Sequence, residues 1–353
     1  MTFEERVEAV GFLGEWLRTY IQKTSSGHKV LLNSDEEKFF HLVEDEKNYN
    51  PWFTADNINY ALTYWATHLT NTMLESWLAP YQSSIKETKS KTVGIIAAGN
   101  IPMVSLHDIL SVFLCGHKVT VKLSSKDQHL TPFLFSILEK KEQDVCNSID
   151  FRDGKWEKID AVIATGSNNT NRYFETYFGK YPHLFRQHKS GVAILTGNES
   201  EKELEKLSDD IFLYFGLGCR NVCKIYVPQG YDFSPLLKAM QKWNHIFYHH
   251  SYINNYDYQK SMAIINKEPF IDNGFVILCE SEKIFSSLGI IYYEYYSELC
   301  NLAPKFKAYS DQIQCIVSKN KVIEESVSFG ESQQPQLWDY ADNMDIINFL
   351  NHI

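Results

Sequence analysis

From Lys91 onward, short β-rich runs alternate with helical stretches, and that alternation restricts the chain to α/β folds built on a parallel sheet. Residues 92–98 are apolar and β-rich, Leu106–Leu114 reads as a helix, and Lys118–Lys122 is again β-branched. A second unit follows, with a strand over 160–164, a turn at Thr165-Gly166-Ser167, a helix over 171–178 and a returning strand over 192–195. In such folds ligands bind beyond the carboxyl ends of the strands. Past residue 196 the mixture repeats, with helices at 201–213 and 233–243 and strands near 224–227 and 275–279. The expected organisation is therefore N-terminal helices and a first α/β domain over 1–195, a second α/β domain over 196–345, and a tail over 346–353. The first 85 residues read as helices: Ser34 caps a segment over 35–45, and Thr54 caps one over 57–78, where apolar residues recur at helical spacing.

At 353 residues, 44% of them hydrophobic, the chain can bury two cores. Its net charge of −10 and the lack of a long basic run give no reason to expect nucleic acid or an anionic membrane as partner. Seven cysteines, at 115, 146, 219, 223, 279, 300 and 315, are odd in number and scattered through apolar stretches, which fits reduced thiols in the cytoplasm. No window reaches the roughly 18 apolar residues of a spanning helix, and the first residues do not read as a secretion signal.

Two short segments could carry chemistry. In Phe215-Gly216-Leu217-Gly218-Cys219-Arg220-Asn221 a cysteine follows two glycines, which free the backbone to approach a ligand and let the cysteine's own N–H face a bound oxygen. A thiolate at Cys219 could attack an acyl carbonyl, and Arg220 or Lys224 would favour its ionised form. Taken alone, the heptapeptide reads more readily as a structural cysteine than as a nucleophile, although Cys223, on the apolar side of the same turn, suits the structural role better. Gly99-Asn100-Ile101-Pro102 lies between a strand and a helix, where the Asn100 amide could donate to an oxyanion or simply hold a turn. His245 and His249 stand at helical spacing, but no acidic or cysteine partner accompanies them, so a domain-packing segment is the better reading than a metal site. The aromatic run 292–296 suits core or the lining of an apolar channel.

Taken in order, Asn100-Ile101-Pro102, Gly116-His117-Lys118-Val119-Thr120-Val121-Lys122-Leu123-Ser124, Thr165-Gly166-Ser167 and Gly216-Leu217-Gly218-Cys219 resemble the aldehyde dehydrogenase superfamily. In that family they correspond to an oxyanion asparagine, an adenosine-binding strand, a phosphate loop and the nucleophile. The superfamily's Glu-Leu-Gly-Gly glutamate, which activates water, should fall near 184–190, where this chain reads Leu-Phe-Arg-Gln-His-Lys-Ser. Without that base, release of an acid is disfavoured and thiol exchange or reduction becomes the expected fate of a thioester. The closer resemblance, which covers most of the chain, is to acyl-CoA reductases related to the reductase component of the bacterial luminescence fatty-acid reductase complex. It includes Asn50-Pro51-Trp52-Phe53-Thr54 and the segment from Phe329-Gly330-Glu331-Ser332-Gln333-Gln334-Pro335 to Asp342.

This resemblance implies a Rossmann-type domain and an α/β catalytic domain, with Cys219 as nucleophile and Asn100 as oxyanion donor. It implies Lys122, Ser124, Ser125, Thr165, Gly166 and Ser167 as cofactor contacts. Ser125 stands where many NAD-preferring members carry a repelling glutamate, and Lys126 follows, so NADP(H) is the expected cofactor. Glu268 and Glu294 are loose candidates for a ribose contact, and neither is assigned. The expected substrate is an acyl-CoA. The resemblance is compatible with an acyl-transferase or synthetase partner and with a homo-oligomer. Reduction of an acyl phosphate, and an acyl carrier or scaffold without catalysis, stay open as alternatives.

Overall fold

The computed structural model describes residues 1–25, 31–87, 89–152, 154, 156, 158–166 and 168–353. It divides into two compact units: Met1–Gln187 with Gln336–Ile353, and His188–Pro335.

The first unit opens with helices α1 (Phe3–Ser25), α2 (Ser34–Tyr49), α3 (Ala55–His68), α4 (Asn71–Leu78) and α5 (Gln82–Glu87). Strand β1 (Thr92–Ile96), helix α6 (Leu106–Leu114), strand β2 (Lys118–Lys122), helix α7 (Leu130–Lys141), strands β3 (Ile149–Phe151) and β4 (Ala161–Thr165), helix α8 (Asn168–Phe178) and strand β5 (His183–Arg186) follow. The five strands form a sheet in the order β3-β2-β1-β4-β5, and every pairing is parallel. Their apolar residues point into helices on the sheet faces: Val93, Ile95, Val119, Val121, Val162 and Ile163 are at most 2% exposed.

The helical entry differs from the sequence reading in two places. Asn33, not Ser34, caps α2: its side chain accepts from the backbone of Asp35 and Glu36, and Glu36 returns the bond as a capping box. The expected helix over 57–78 is broken at Leu69, after which Thr70 caps α4 through the Met73 N–H. The break has a tertiary cause. A Cβ on Gly14 would lie 1.8 Å from the Leu69 carbonyl oxygen, so the missing side chain on α1 is what lets the junction dock there. Arg18 on the same helix donates to the carbonyl of Ala66 at 2.6 Å.

The second unit contains β6 (Ser190–Ile194), α9 (Glu201–Phe212), β7 (Val222–Pro228), α10 (Ser234–Met240), α11 (His250–Asn266), β8 (Phe270–Asp272), β9 (Ile277–Glu280), β10 (Ile290–Tyr296), α12 (Leu302–Ala308) and β11 (Ile313–Ser318). Its sheet runs β11-β6-β7-β10-β9-β8, parallel except for the final β8-β9 pair. The aromatic run 292–296 lies on strand β10, near the middle of that sheet. The strand read over 192–195 is β6, which pairs with β7 and β11, so the division between units falls before it rather than at 195.

The last residues return to the first unit. Helix α13 (Ile346–Asn351) buries Ile346, Ile347 and Leu350, and the Leu350 carbonyl bonds to the His117 ring at 3.0 Å. Among the described residues no helix is long and apolar enough to cross a membrane.

Candidate active site

In the first unit, the loops that leave β1 and β2 meet at the carboxyl edge of the sheet. A Cβ on Gly99 would lie 2.5 Å from Oγ and 2.6 Å from Cβ of Ser124, so the Gly99-Asn100 turn sits directly against the loop after Lys122. The Ser124 hydroxyl accepts from the Lys126 N–H at 3.2 Å, and the Ser124 carbonyl accepts from the Asp127 N–H at 3.1 Å. Lys122, Ser125 and Lys126 are exposed, with their donors open to a ligand. Asn50 supports the same loop by donating to the Lys126 carbonyl at 3.0 Å.

Asp127 ties this loop to the Asn100 segment. Its Oδ2 accepts from the Met103 N–H at 2.8 Å, and Met103 has φ 54, a left-handed conformation that costs roughly 1–2 kcal/mol in a non-glycine residue. Burial pushes the Asp127 carboxyl up to about 7, with Glu46 adding to the rise and the Met103 amide opposing it. Glu46 is itself buried and faces His129 at 3.2 Å.

Thr165 and Gly166 end β4, the neighbour of β1 on its other side. A Cβ on Gly166 would lie 3.0 Å from Thr170 and from Phe174, so the glycine brings the backbone close to α8. Ser167, expected with them, lies outside the described residues. At the end of β5, Arg186 forms a buried ion pair with Asp108 of α6, its Nη1 donating to both carboxylate oxygens at 2.7 Å. A cavity of about 300 Å³ lies at the opposite, amino edge of this sheet, against Thr92, Lys118 and Trp156, away from these loops.

In the second unit, Cys219 stands in the turn between α9 and β7 and is partly exposed. The chain enters that turn through three successive left-handed residues, Tyr214 (φ 53), Phe215 (φ 58) and Gly216 (φ 78). Two of them carry a Cβ, so something must compensate the strain. The compensation is Asn221. Its buried side chain accepts from the Gly218 N–H at 2.7 Å and donates to the carbonyls of Asp210 at 3.0 Å, Ile211 at 3.3 Å and Leu213 at 2.9 Å. From the other side, a Cβ on Gly191 of β6 would lie 2.5 Å from the Arg220 carbonyl oxygen, so β6 approaches the turn only through a glycine. Asn221→Ala leaves those buried groups unpaired and should lower the unfolding free energy by about 2–3 kcal/mol in urea titration. It should also slow alkylation of Cys219; unchanged values for both would mean that Asn221 does not hold the turn.

A remote segment is fastened to the same turn. Asp210 at the end of α9 accepts from the N–H groups of Gly330 at 2.6 Å and Ser332 at 2.9 Å. Burial pushes its carboxyl up to about 6 in spite of those bonds. Arg220 donates to the Ser332 carbonyl at 2.5 Å. Gln333 thereby comes to lie beside Gly218.

Other candidates are occupied elsewhere. Cys223 is half-buried, accepts from Ser190 Oγ at 2.8 Å and donates to the Ile284 carbonyl at 3.0 Å, and burial pushes its thiol up. Glu294 bridges the buried Lys224, at 2.5 Å, and Lys305. Glu268 is exposed, and His249 caps α11 by accepting from the Tyr252 N–H.

No protein-family model matches the chain, and no curated protein sequence matches it. Solved structures do. Aldehyde dehydrogenase 21 from Physcomitrella patens, in complex with the reaction product succinate, matches with a TM-score of 0.71 at 11% identity, over 100% of this chain and 84% of that one. A NAD-dependent benzaldehyde dehydrogenase from Corynebacterium glutamicum gives 0.64 at 11% identity, over 92% and 78% of the two chains. A variant of aldehyde dehydrogenase C from Pseudomonas syringae, complexed with NAD+ and octanal, gives 0.61 at 12%, over 92% and 74%. The chain has the aldehyde dehydrogenase-like fold.

Within the aldehyde dehydrogenase-like fold, the sequence-flagged residues separate by unit. Asn100, Lys122, Ser124, Ser125, Thr165 and Gly166 belong to the first and Cys219 to the second. The residues that brace them, namely Asn50, Asp127 and Asp210, carry no local sequence signal of the kind that marks a Gly-x-Gly-Cys turn, and neither does Gln333 beside Gly218. Their roles arise from contacts between distant parts of the chain.

Proposed function

We propose that the chain is an NADPH-dependent reductase of acyl-CoA thioesters, probed best with fatty acyl groups, that works through an acyl group carried on Cys219. The observation that carries this reading is the Cys219 turn: a partly exposed thiol on a strained backbone, locked by Asn221. Relationship to the reductase of the luminescence fatty-acid complex is part of the same proposal.

The Cys219 thiolate attacks the thioester carbonyl. A carbon–sulfur bond forms to Cys219, the bond to the CoA sulfur breaks, and CoA leaves as the thiolate. The negative charge that passes through the carbonyl oxygen is met by the Cys219 N–H, and the resemblance assigns the Asn100 amide to the same oxygen. When bound, NADPH supplies the hydride that takes the acyl group to the oxidation level of an aldehyde. Cys219 is then expelled as thiolate and is ready for the next turnover.

The first unit's loops suit the cofactor. Lys122, Ser125 and Lys126 offer exposed donors, while the neighbouring carboxylate, Asp127, is buried against Met103 and does not oppose a 2′-phosphate. Thr165, Gly166 and, by resemblance, Ser167 would hold the pyrophosphate near the start of α8. The absence of a superfamily-type glutamate at 184–190 is supported chemically by Arg186, whose charge is taken up by Asp108. The thioester is therefore spared hydrolysis and awaits reduction.

The test is to incubate the protein with acyl-CoAs of graded length and NADPH or NADH, following nucleotide oxidation and CoA release. Equal amounts of NADPH consumed and CoA released with at least one acyl-CoA is the expected result. Turnover of an acyl phosphate but of no acyl-CoA would replace this reading with an acyl-phosphate reductase. Failure to bind either nucleotide at millimolar concentration would leave only a carrier or scaffold role.

A further inference from the structure

We infer that Gln333 is a further substrate-contacting residue, whose side-chain amide donates a hydrogen bond to the oxygen of the acyl group on Cys219. The inference rests on the proposed role of Cys219 and extends it to a residue 114 positions away in the chain, as 333 − 219 gives.

Three observations carry it. Gln333 is 9% exposed, and its Nε2 is buried with no hydrogen-bond partner. Buried amide donors are almost always paired, because an unmade bond costs the full desolvation of the group. A Cβ on Gly218 would lie 3.4 Å from Oε1 and 3.5 Å from Nε2 of Gln333, so the amide rests against the residue that precedes Cys219. Both amide atoms lie at nearly the same distance, so the placement does not depend on which way the amide is turned. Finally, the segment is built to hold it there: Asp210 binds the N–H groups of Gly330 and Ser332, and Arg220, next to Cys219, binds the Ser332 carbonyl.

A donor fixed by its backbone, buried and lacking an acceptor, beside a nucleophile, is complementary to an oxygen that arrives with substrate. That oxygen gains charge as the thiolate adds to the carbonyl, so the bond strengthens in the transition state. The absence of an acidic or basic group on Gln333 restricts it to this role. It neither takes nor gives a proton.

Gln333→Met keeps the length of the side chain and removes the donor. Acylation of Cys219 by an acyl-CoA, measured without NADPH by CoA release and by the mass of the Cys219 peptide, should slow roughly 100-fold. Alkylation of Cys219 by iodoacetamide, which forms no oxyanion, should be unchanged. The Tm should be equal or higher, because an unpaired buried amide has been replaced by an apolar isostere. Gln333→Glu, which presents an acceptor in place of the donor, should slow acylation further and decides the matter if the methionine variant does not fold.

Wild-type rates of acylation in both variants would overturn the inference while leaving Cys219 as nucleophile. Equal slowing of acylation and alkylation, or a fall in Tm with the loss, would also overturn it, since Gln333 would then shape the thiol or the fold. If the wild-type protein is not acylated at Cys219 by any acyl-CoA, the inference falls together with the reading beneath it.

Discussion

Cys219→Ala should abolish productive acyl-enzyme formation and aldehyde production, with a loss of about 10³-fold or more, because in the proposed reaction Cys219 forms the carbon–sulfur bond on which reduction depends. Cys219→Ser should lose nearly as much, since a hydroxyl at neutral pH is far less ionised than a thiol. Stability should barely change in either variant. The side chain is partly exposed, and surface substitutions usually fall within about 0.5 kcal/mol. Cys223→Ala is the matching control, with the opposite signature. It deletes a half-buried thiol held between Ser190 and the Ile284 carbonyl, so it should cost about 1–2 kcal/mol while leaving acylation intact. Cys146 and Cys300 are exposed and will take up thiol reagents, so the acyl group has to be located by peptide mass. Undiminished aldehyde formation in Cys219→Ala would remove the mechanism.

How far such a site can be read from sequence depends on whether each contact is local. The strand Lys118–Lys122 emerges with the boundaries its β-branched pattern predicts, since Gly116, at φ 85, forces the turn before it and the polar run at Ser124 ends it. The helix over 57–78 was not divisible by inspection. Its periodicity runs straight through Leu69, and the break comes from a glycine on α1 some fifty residues earlier. Likewise, residues 192–195 look like the last strand of a first domain, and only pairing with β7 and β11 assigns them to the second unit. The aromatic run 292–296 is legible as core or channel lining but not as part of a strand over Ile290–Tyr296, because its tyrosines fill consecutive positions and hide the alternation of two.

The same division holds at the site. Cys219 and Asn100 stand in short motifs whose glycines and turn residues mark them. Asn221 lies within the cysteine motif, yet its work, holding three carbonyls of residues 210–213 and one amide, is a property of the folded turn. Gln333 stands in a segment that the resemblance covers, and Asp210 in none, but neither role is legible, because what they touch is decided by the return of the chain from residue 329 onward.

Arg186→Met should destabilise the first unit by about 3–5 kcal/mol at neutral pH, because Asp108, buried without its main counter-charge, must take up a proton that the unfolded chain does not bind. In the wild type, burial is the largest single influence and would raise the Asp108 carboxyl, but the charges and hydrogen bonds of Arg186 and His107 together outweigh it, and the group is held below its ordinary value. A lowered folded value contributes stability above the unfolded value, and that contribution is lost as pH falls through the folded one. Removing Arg186 reverses the sign. Asp108 is then raised by burial, so its protonated form is the stable one, and stability is lost as pH climbs from about 4 towards neutrality. Urea midpoints taken near pH 5 and pH 7.5 should therefore lie further apart in the variant than in the wild type, with the variant relatively stronger in acid. Adding Asp108→Leu should restore most of the loss, since a buried pair replaced by apolar groups of similar size is often neutral. If Arg186→Met shows no such pH slope, Asp108 is reached by water and the pair does not seal this edge. The position matters for the chemistry as well. The segment ending β5 is where the resemblance expects a carboxylate that activates water, and here its charged side chain is a cation already committed to a structural partner. A variant that lost Arg186 should accordingly lose stability without gaining thioester hydrolysis, because Asp108, nearly inaccessible to solvent, would be left protonated rather than basic.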